Sequence, residues 1–113
     1  MNNRLLKLSP LTEATYYILL SLMNPLHGYG IIKKVEEMSE GRVKLAAGTL
    51  YGAISKLIDY KLISLIEEDK ENPRRKIYMI NSLGVELLNY EINRLNEMTL
   101  NGIKEMGDKY EEG

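Results

Sequence analysis

Three adjacent cations, Arg74, Arg75 and Lys76, open the second of two predicted strands, at residues 62–66 and 74–80, which a polar turn connects. Charged groups at the tip of such a hairpin suit the binding of phosphate oxygens, by the guanidinium fork of arginine and the point charge of lysine. Charge runs more often lie in water without a partner. Here the position at a hairpin tip, next to the helix described below, favours phosphate contact.

The ten residues before the first of these strands, 49–58, have the periodicity of a short amphipathic helix. Leu50, Ile54 and Leu57 fall on one side of a helical wheel, and the opposite side is small or polar. Helix, strand, basic hairpin tip and strand is the order of a winged helix, whose helix enters the major groove of DNA while the hairpin reaches neighbouring phosphates. The candidate DNA contacts are therefore Thr49, Tyr51, Ser55, Lys56, Arg74, Arg75 and Lys76.

Catalytic and metal chemistry find little support in this composition. The chain has one histidine and no cysteine, so no nucleophile–base pair can be drawn. We interpret His27 as a turn residue that bonds the backbone at the start of the second helix, rather than as a ligand or base. The segment at residues 28–30 lacks the third glycine and the preceding strand of a dinucleotide fingerprint. The acidic residues have no metal-ligand spacing, and we predict a protein that is not an enzyme and needs no cofactor or metal.

Length and composition predict one folded domain. The chain has 113 residues, of which 44% are hydrophobic and 27% charged. The absence of cysteine excludes disulfides and thiolate metal sites and favours the reducing cytoplasm. No apolar run approaches the ~18–20 residues that span a bilayer. The N-terminus has no features of a secretory signal, and we expect a helical extension there and no membrane association.

The net charge of −1 is unevenly distributed. Residues 42–80 carry eight cations against five anions, whereas residues 81–113 carry three against seven. Salt screens charges beyond ~8–10 Å, so an acidic tail does not cancel a distant basic patch. The near-neutral total charge predicts a modest, salt-sensitive DNA affinity for each subunit. A dimer would double the number of DNA contacts.

The remaining elements are predicted from caps and periodicity. Ser9 and Pro10 have the pattern of a helix cap and first helical residue, for a helix to about residue 23. A turn at residues 24–28 leads to a second helix at about 29–39, with Gly41 in the left-handed stop position. Asn81 and Ser82 predict the cap of a last helix that continues to about residue 109.

The last helix carries apolar residues every three to four positions, and nothing downstream in the sequence can cover them. Leu88, Ile92 and Leu95 are therefore predicted to be buried between two copies of the chain rather than within one. The expected fold is mainly α with a small β-hairpin: a winged helix-turn-helix at residues 1–80 and a long C-terminal dimerisation helix at 81–113, forming one structural unit.

Four groups of residues in register resemble the PadR-like transcriptional regulators, over about residues 11–95. They are Leu26-His27-Gly28-Tyr29-Gly30-Ile31, Gly48-Thr49-Leu50-Tyr51, Lys56-Leu57, and Arg74-Arg75-Lys76-Ile77-Tyr78 followed by Gly84. The single helix after the wing resembles the short subfamily, whose members end in one dimerisation helix rather than a larger C-terminal domain. The resemblance implies a homodimeric winged-helix repressor whose affinity for a two-fold DNA operator is altered by a small ligand.

The chain departs from that family pattern at two positions. Gly52 stands where many relatives have proline, which implies a less rigid start of the recognition helix. Drug-responsive members of the short subfamily carry a tryptophan on the last helix, but this chain has none and Leu95 takes that place. The resemblance implies a pocket for a small hydrophobic or aromatic effector between the first helix and the partner's last helix, lined by Tyr16, Tyr17, Leu20 and Leu95.

Two alternatives remain open from the sequence. One is a winged helix that has lost DNA binding and serves as a protein-interaction module, which the charge of −1 and the acidic tail favour and the run of Arg74, Arg75 and Lys76 disfavours. The other is a MarR-like or metal-sensing regulator of the same fold, although the absence of ligand clusters argues against the metal sensor.

Overall fold

The fold consists of five α-helices and a three-stranded sheet, in a computed structural model that describes residues 3–68, 70–72 and 75–113. The helices and strands confirm the prediction of a mainly α fold with a small β-hairpin and a long C-terminal helix. In chain order they are α1 Asn3–Leu6, α2 Glu13–Ser21, β1 Leu26–His27, α3 Gly28–Met38, α4 Ala47–Asp59, β2 Ile63–Glu67, β3 Ile77–Ile80 and α5 Ser82–Met106, followed by a 3-10 turn, Gly107–Lys109.

One hydrophobic core joins these elements. Aliphatic side chains from successive elements meet in it, and burial of this apolar surface is the main force that holds the helices together. The fully buried members are Ile18, Leu19, Leu22, Ile31, Val35, Leu50, Leu62 and Leu87. The amphipathic helices α2, α3 and α4 thereby take fixed positions against one another.

The sheet is antiparallel in the order β1-β3-β2, so β3 lies in the centre. Leu26 pairs with Tyr78, and Ile63 pairs with Ile80. The interpretation of residues 24–28 as a turn alone was wrong for Leu26 and His27, which form β1. Two residues are too few for a period-two pattern, and the pairing partner lies about fifty positions further along the chain.

The predicted start of the first long helix was also wrong. The helix α2 begins at Glu13, and the hydroxyl of Thr12 caps it by accepting the N–H of Thr15 at 3.2 Å. Ser9 is engaged elsewhere, because its hydroxyl donates to the carboxylate of Glu91 at 2.8 Å. The helix ends at Ser21, two residues before the predicted end.

The ends of α3 agree with the sequence. His27 is its N-cap, and the ring Nδ1 accepts the N–H of Gly30 at 3.1 Å, which confirms a structural role at this turn. Gly41 has a φ of +82° after the helix, in the left-handed region that favours glycine. The N–H of Gly41 donates to the carbonyl oxygen of Glu36 at 2.9 Å.

The first turns of α5 belong to the core, and the rest of it does not. Asn81 caps the helix by accepting the N–H of Gly84 at 3.3 Å, as predicted. The prediction that Leu88 is buried between subunits rather than within one was wrong, because it is 4% exposed in the single chain. From residue 95 to residue 113 every residue is exposed. Among the described residues, no helix is long and apolar enough to cross a membrane.

Candidate nucleic-acid interface

The helix α4 presents a flat, uncrowded face to solvent. Leu50, Ile54 and Leu57 are buried on its inner side. On the outer side, a Cβ atom built on Gly48 or Gly52 has nothing within 4 Å. The outer side chains that were predicted to contact DNA, Thr49 and Ser55, are exposed there. At Gly48 and Gly52 no side chain keeps another surface away from the helix backbone.

Tyr51 fixes one flank of α4 against its neighbours. A Cβ atom at Gly28 would lie 2.5 Å from the Tyr51 hydroxyl, so only glycine at the start of α3 leaves room for this ring. Tyr51 is still 44% exposed. Behind it, Tyr78 of β3 is buried, and burial raises the pKa of its phenol, with smaller contributions from Tyr51 and Glu68. The Tyr51 ring therefore contacts α3 while part of it remains open to a ligand.

The hairpin formed by β2 and β3 carries the predicted cations. Arg75 is exposed, and the Lys76 ammonium lies 3.6 Å from the Glu68 carboxylate. The two side chains are 39% and 49% exposed, and an ion pair that water reaches in this way contributes little and can be exchanged for a phosphate. Arg74 lies outside the described residues, so its predicted contact is not placed.

Lys56 lies on the flank of α4 opposite Tyr51. It lines an apolar cleft of about 130 Å³ between α4 and the chain segment before α2, together with Leu8, Thr15 and Tyr60. The structure therefore places Tyr51 on the side of the hairpin and Lys56 on the side of α2, with Thr49 and Ser55 exposed on the same helix.

Sequence reasoning missed a pair of rings beside the hairpin. His27 and Tyr29 stack with centroids 6.5 Å apart and planes 9° apart, and Tyr29 is 65% exposed. With Arg75 and Ile77 they line a cleft of about 320 Å³. The sequence signal was the run at residues 28–30, but its position beside Arg75 in one cleft depends on the pairing of β1 with β3.

A second cleft, of about 330 Å³, lies between α2 and α5 of the same chain. Tyr16, Tyr17 and Leu95, three of the four predicted effector contacts, line it. Leu20 does not; it packs against the core instead. The two tyrosine rings meet edge to face with centroids 5.8 Å apart, and burial is the main cause that raises the pKa of Tyr16. The remaining lining residues are Leu11, Glu13, Glu91 and Arg94.

Glu91 is a buried carboxylate at the floor of this cleft, with 1% of its side chain exposed. It accepts hydrogen bonds from the Ser9 hydroxyl, from the backbone N–H of Leu11 and from two guanidinium nitrogens of Arg94, at 2.7 and 3.3 Å. Burial alone would raise the pKa of Glu91, but the hydrogen bonds from Arg94, Leu11 and Ser9 outweigh it and lower the pKa. The carboxylate thus ties the segment before α2 to α5.

An ion pair connects the rim of the same cleft to the loop before α4. The guanidinium of Arg42 contacts the carboxylate of Glu13, and hydrogen bonding to Glu13 is the main cause that raises the pKa of Arg42. Tyr17 makes a smaller contribution that also raises the pKa of Arg42. Neither residue carried a local sequence signal, since the pair joins positions 13 and 42. In the described part of the chain, no group of three acidic or histidine side chains is arranged to hold a metal ion.

Comparison with solved structures finds the same fold in known proteins. A PadR-like transcriptional regulator from Bacillus cereus superposes with a TM-score of 0.65 at 18% identity, over 83% of this chain and 90% of that one. BpsR from Bordetella bronchiseptica, whose DNA binding is regulated by 6-hydroxynicotinic acid, superposes with a TM-score of 0.63 at 20% identity, over 84% of this chain and 67% of that one. At these identities the likeness is one of fold alone.

Sequence comparison extends this likeness. An uncharacterized 37.1 kDa protein encoded in a transposon of Streptomyces fradiae is 32% identical over 88 residues, or 77% of this chain, although the chain spans only 24% of that protein's length. The sequence profile of the PadR-like family of transcriptional regulators matches residues 18–90, well over half of the chain. Together with the helices and the three-stranded sheet described above, this match shows that the chain belongs to the PadR-like family of transcriptional regulators.

Proposed function

We propose that this regulator binds double-stranded DNA as a homodimer and acts as a repressor that responds to a small ligand. The observation that carries the proposal is the outer face of α4. Gly48 and Gly52 leave it open, Thr49 and Ser55 supply hydroxyl groups, and the hairpin that follows carries cations. An α-helix is ~10–12 Å across with its side chains and the major groove is ~12 Å wide, so such a face fits a groove closely.

Affinity and specificity would come from different parts of this surface. Arg75 and Lys76 on the hairpin suit phosphate oxygens, which give binding without sequence preference. The Tyr51 hydroxyl can donate a hydrogen bond to a phosphate oxygen while the ring stays packed on α3. Thr49 and Ser55 are the groups on α4 that can reach base edges, and hydroxyls discriminate poorly between bases. We expect a modest preference for the operator from each subunit.

The exposed end of α5 supports dimer formation. Ile92 is 45% exposed, Leu95 37%, Ile103 38% and Met106 51%, on one stripe of a helix of 25 residues. Every residue from 95 to the end of α5 at Met106 is exposed, so this part of the helix is not buried by its own chain. Helical segments of about 12–15 residues are marginal alone in water. A second copy that buries the same stripe is the partner that such a seam fits.

A homodimer would present two α4 helices to two half-sites about one DNA turn, ~34–36 Å, apart. Leu95 lines the cleft between α2 and α5 of one chain and also belongs to the proposed dimer seam, so a ligand there would change this separation and with it the affinity for the operator. The cleft of about 330 Å³ beside Tyr16, Tyr17 and Leu95 supports a small hydrophobic or aromatic effector. Introduction of an indole by Leu95→Trp should strengthen the binding of flat dyes, since aromatic stacking contributes ~0.5–1.5 kcal/mol beyond area burial. A variant that gains no dye binding would contradict this placement.

A salt titration tests DNA binding directly. The purified chain should bind a random duplex with an affinity that falls steeply as salt rises, with a slope of about −0.9 per phosphate contact on a logarithmic plot. An affinity that does not change with salt, or no binding at low salt, would contradict the proposal. Selection of bound sequences from a random pool would then give the operator, and a two-fold symmetric site would support the dimer.

A protein-interaction role is the second candidate, favoured by one observation on the hairpin. Leu65 and Ile66 of β2 are 41% and 50% exposed next to the cations, and apolar groups in that position suit a protein surface better than a phosphate backbone. The same titration separates the two functions, because a protein-binding module has no reason to show a steep salt slope with DNA.

A further inference from the structure

The helix α4 ends at a residue whose backbone conformation favours glycine, yet the residue is lysine. Lys61 follows the C-cap Tyr60 and has a φ of +62°. Its N–H donates to the carbonyl oxygen of Ile58 and the N–H of Leu62 donates to that of Leu57, both at 2.9 Å, which is the Schellman pattern of a helix end. Glycine is the usual residue at this position, because a Cβ atom disfavours the left-handed region. A side chain that is kept against this preference points to a role for the side chain itself.

The Lys61 side chain lines a small cleft of about 90 Å³ where α1, the end of α4 and the start of α5 meet. Arg4 of α1 lines the same cleft, so two cations share it. Among the described residues, neither of these cations forms an ion pair with a carboxylate. Both charges are therefore available to an anion that enters the cleft. The other lining residues are Leu5, Leu8, Tyr60 and Leu83.

A larger, apolar cleft adjoins the small one. It is the cleft of about 130 Å³ between α4 and the segment before α2. The two clefts share Leu8 and Tyr60 as lining residues, so they meet at these side chains. In the described part of the chain, no acidic side chain lines either cleft. A cationic end and an apolar end thus lie side by side. The hydrocarbon side chains that line only the larger cleft are Leu11, Ala53, Leu57 and Leu62.

We propose that the two clefts together bind a medium-chain carboxylate, with the carboxylate group between Arg4 and Lys61 and the hydrocarbon chain in the larger cleft. Guanidinium groups bind carboxylates through two parallel hydrogen bonds, and the ammonium of Lys61 adds a second positive charge. A dry cavity of ~150 Å³ holds a benzene ring, so a cleft of about 130 Å³ has room for about six carbon atoms. With the carboxylate carbon and one carbon that joins the two clefts, the chain has about eight carbons, the length of octanoate.

This site is separate from the surfaces described above. It lies on the flank of α4 away from Tyr51 and the hairpin, and it shares only Leu11 with the cleft between α2 and α5. The proposal goes beyond the proposed function and needs no DNA binding. A carboxylate held by both Arg4 and Lys61 would connect α1, which has four residues, to the end of α4.

The binding of the carboxylate group is tested on the full chain without DNA. Octanoate, octanol and octylammonium share one hydrocarbon chain and differ in charge, and calorimetry at neutral pH compares their affinities. Octanoate should bind about fivefold or more tightly than octanol, since each exposed ion pair contributes up to about fivefold, and octylammonium should bind most weakly. Equal binding of octanoate and octanol to the unaltered chain overturns the site.

Lys61→Gly separates ligand binding from folding. Loss of the Cβ atom relieves the left-handed conformation, so the Tm of the variant should rise by roughly 2–8 °C, while octanoate should lose most of its advantage over octanol. Lys61→Arg keeps the charge and should keep the preference for octanoate. Lys104→Gln, on the exposed part of α5, removes the same charge elsewhere and should also keep it. A Lys61→Gly protein that still prefers octanoate to the same degree overturns the assignment.

Chain length tests the larger cleft. Each CH₂ group that leaves water raises affinity about fourfold, so octanoate should bind about fifteenfold more tightly than hexanoate. Decanoate should add little, because the cleft is then full. Ala53→Leu fills the cleft from α4 and should weaken octanoate binding about tenfold or more, whereas Asn93→Leu at an exposed position of α5 should not. Thermal unfolding checks that both variants are folded. Equal affinities of hexanoate and octanoate, or a further fifteenfold gain with decanoate, overturn the placement of the chain. Unchanged octanoate binding in a folded Ala53→Leu protein has the same consequence.

Discussion

Gly52 should make α4 less stable than alanine would, and it leaves the outer face of the helix without a side chain at that position. Glycine inside a helix costs ~0.5–1 kcal/mol relative to alanine. A Cβ atom at this position meets nothing within 4 Å, so no clash opposes the gain from Gly52→Ala. We expect this variant to raise the free energy of unfolding by ~0.5–1 kcal/mol and the Tm by roughly 2–8 °C, as measured by denaturant and thermal unfolding.

A larger residue at the same position should separate stability from DNA binding. Leucine is also a good helix former, so Gly52→Leu should fold at least as well as the unaltered chain. Its side chain, however, would stand on the face that we propose enters the major groove, where a helix has little spare width. We expect DNA affinity to fall on the order of tenfold or more, equivalent to about 1.4 kcal/mol.

Fluorescence anisotropy with a labelled duplex at fixed salt measures this loss. Gly102→Ala on α5 is the control for stability, because a Cβ there also has nothing within 4 Å. Asn93→Leu, at an exposed position of α5, is the control for an added side chain. A Gly52→Leu protein that is folded and binds DNA as tightly as the unaltered chain would refute the approach of α4 to DNA.

Three further predictions concern the hairpin, the last helix and the buried carboxylate. Alanine at all of residues 74–76 should weaken binding to every duplex and flatten the salt slope by up to ~0.9 per lost phosphate contact; unchanged affinity at low salt would show that the hairpin does not touch DNA. Ile92→Asp should yield monomers or unfolded protein in light scattering, since an unpaired charge in an apolar seam costs several kcal/mol, and a monomeric unaltered chain at micromolar concentration would refute the dimer. Glu91→Gln should lower the free energy of unfolding at neutral pH by about 1–3 kcal/mol. The pKa of Glu91 is lowered in the folded chain, so the unfolded chain binds more protons at this carboxylate. The contribution of Glu91 to stability is therefore present above a pH of about 4.5 and is lost as the pH falls through the folded pKa. Denaturant titrations below that pH should therefore show a smaller loss of stability for Glu91→Gln than for the unaltered chain.

The sequence by itself determined the local elements and their chemistry. The spacing of Leu50, Ile54 and Leu57 predicted α4, because the period of a helix is set by the backbone and needs no distant partner. His27 and Gly41 marked the ends of α3 for a similar reason: a ring that accepts a nearby N–H and a residue at positive φ are properties of a few neighbouring residues. The cations at residues 74–76 were predicted to open the second strand at a hairpin tip, but β3 begins only at Ile77, so Arg75 and Lys76 precede it.

Only the tertiary structure decided which side chains meet across the chain. Ser9 has the sequence pattern of a helix cap, yet its hydroxyl donates a hydrogen bond to Glu91, 82 positions away. Thr12 caps the helix instead. Leu88 continues the periodicity of the dimer seam, but α5 is still in contact with the core at that turn and buries it. The pair of Glu13 and Arg42 has the same origin. Such contacts depend on how helices pack in three dimensions, and a periodic pattern gives the face that a residue occupies but not the surface that covers it.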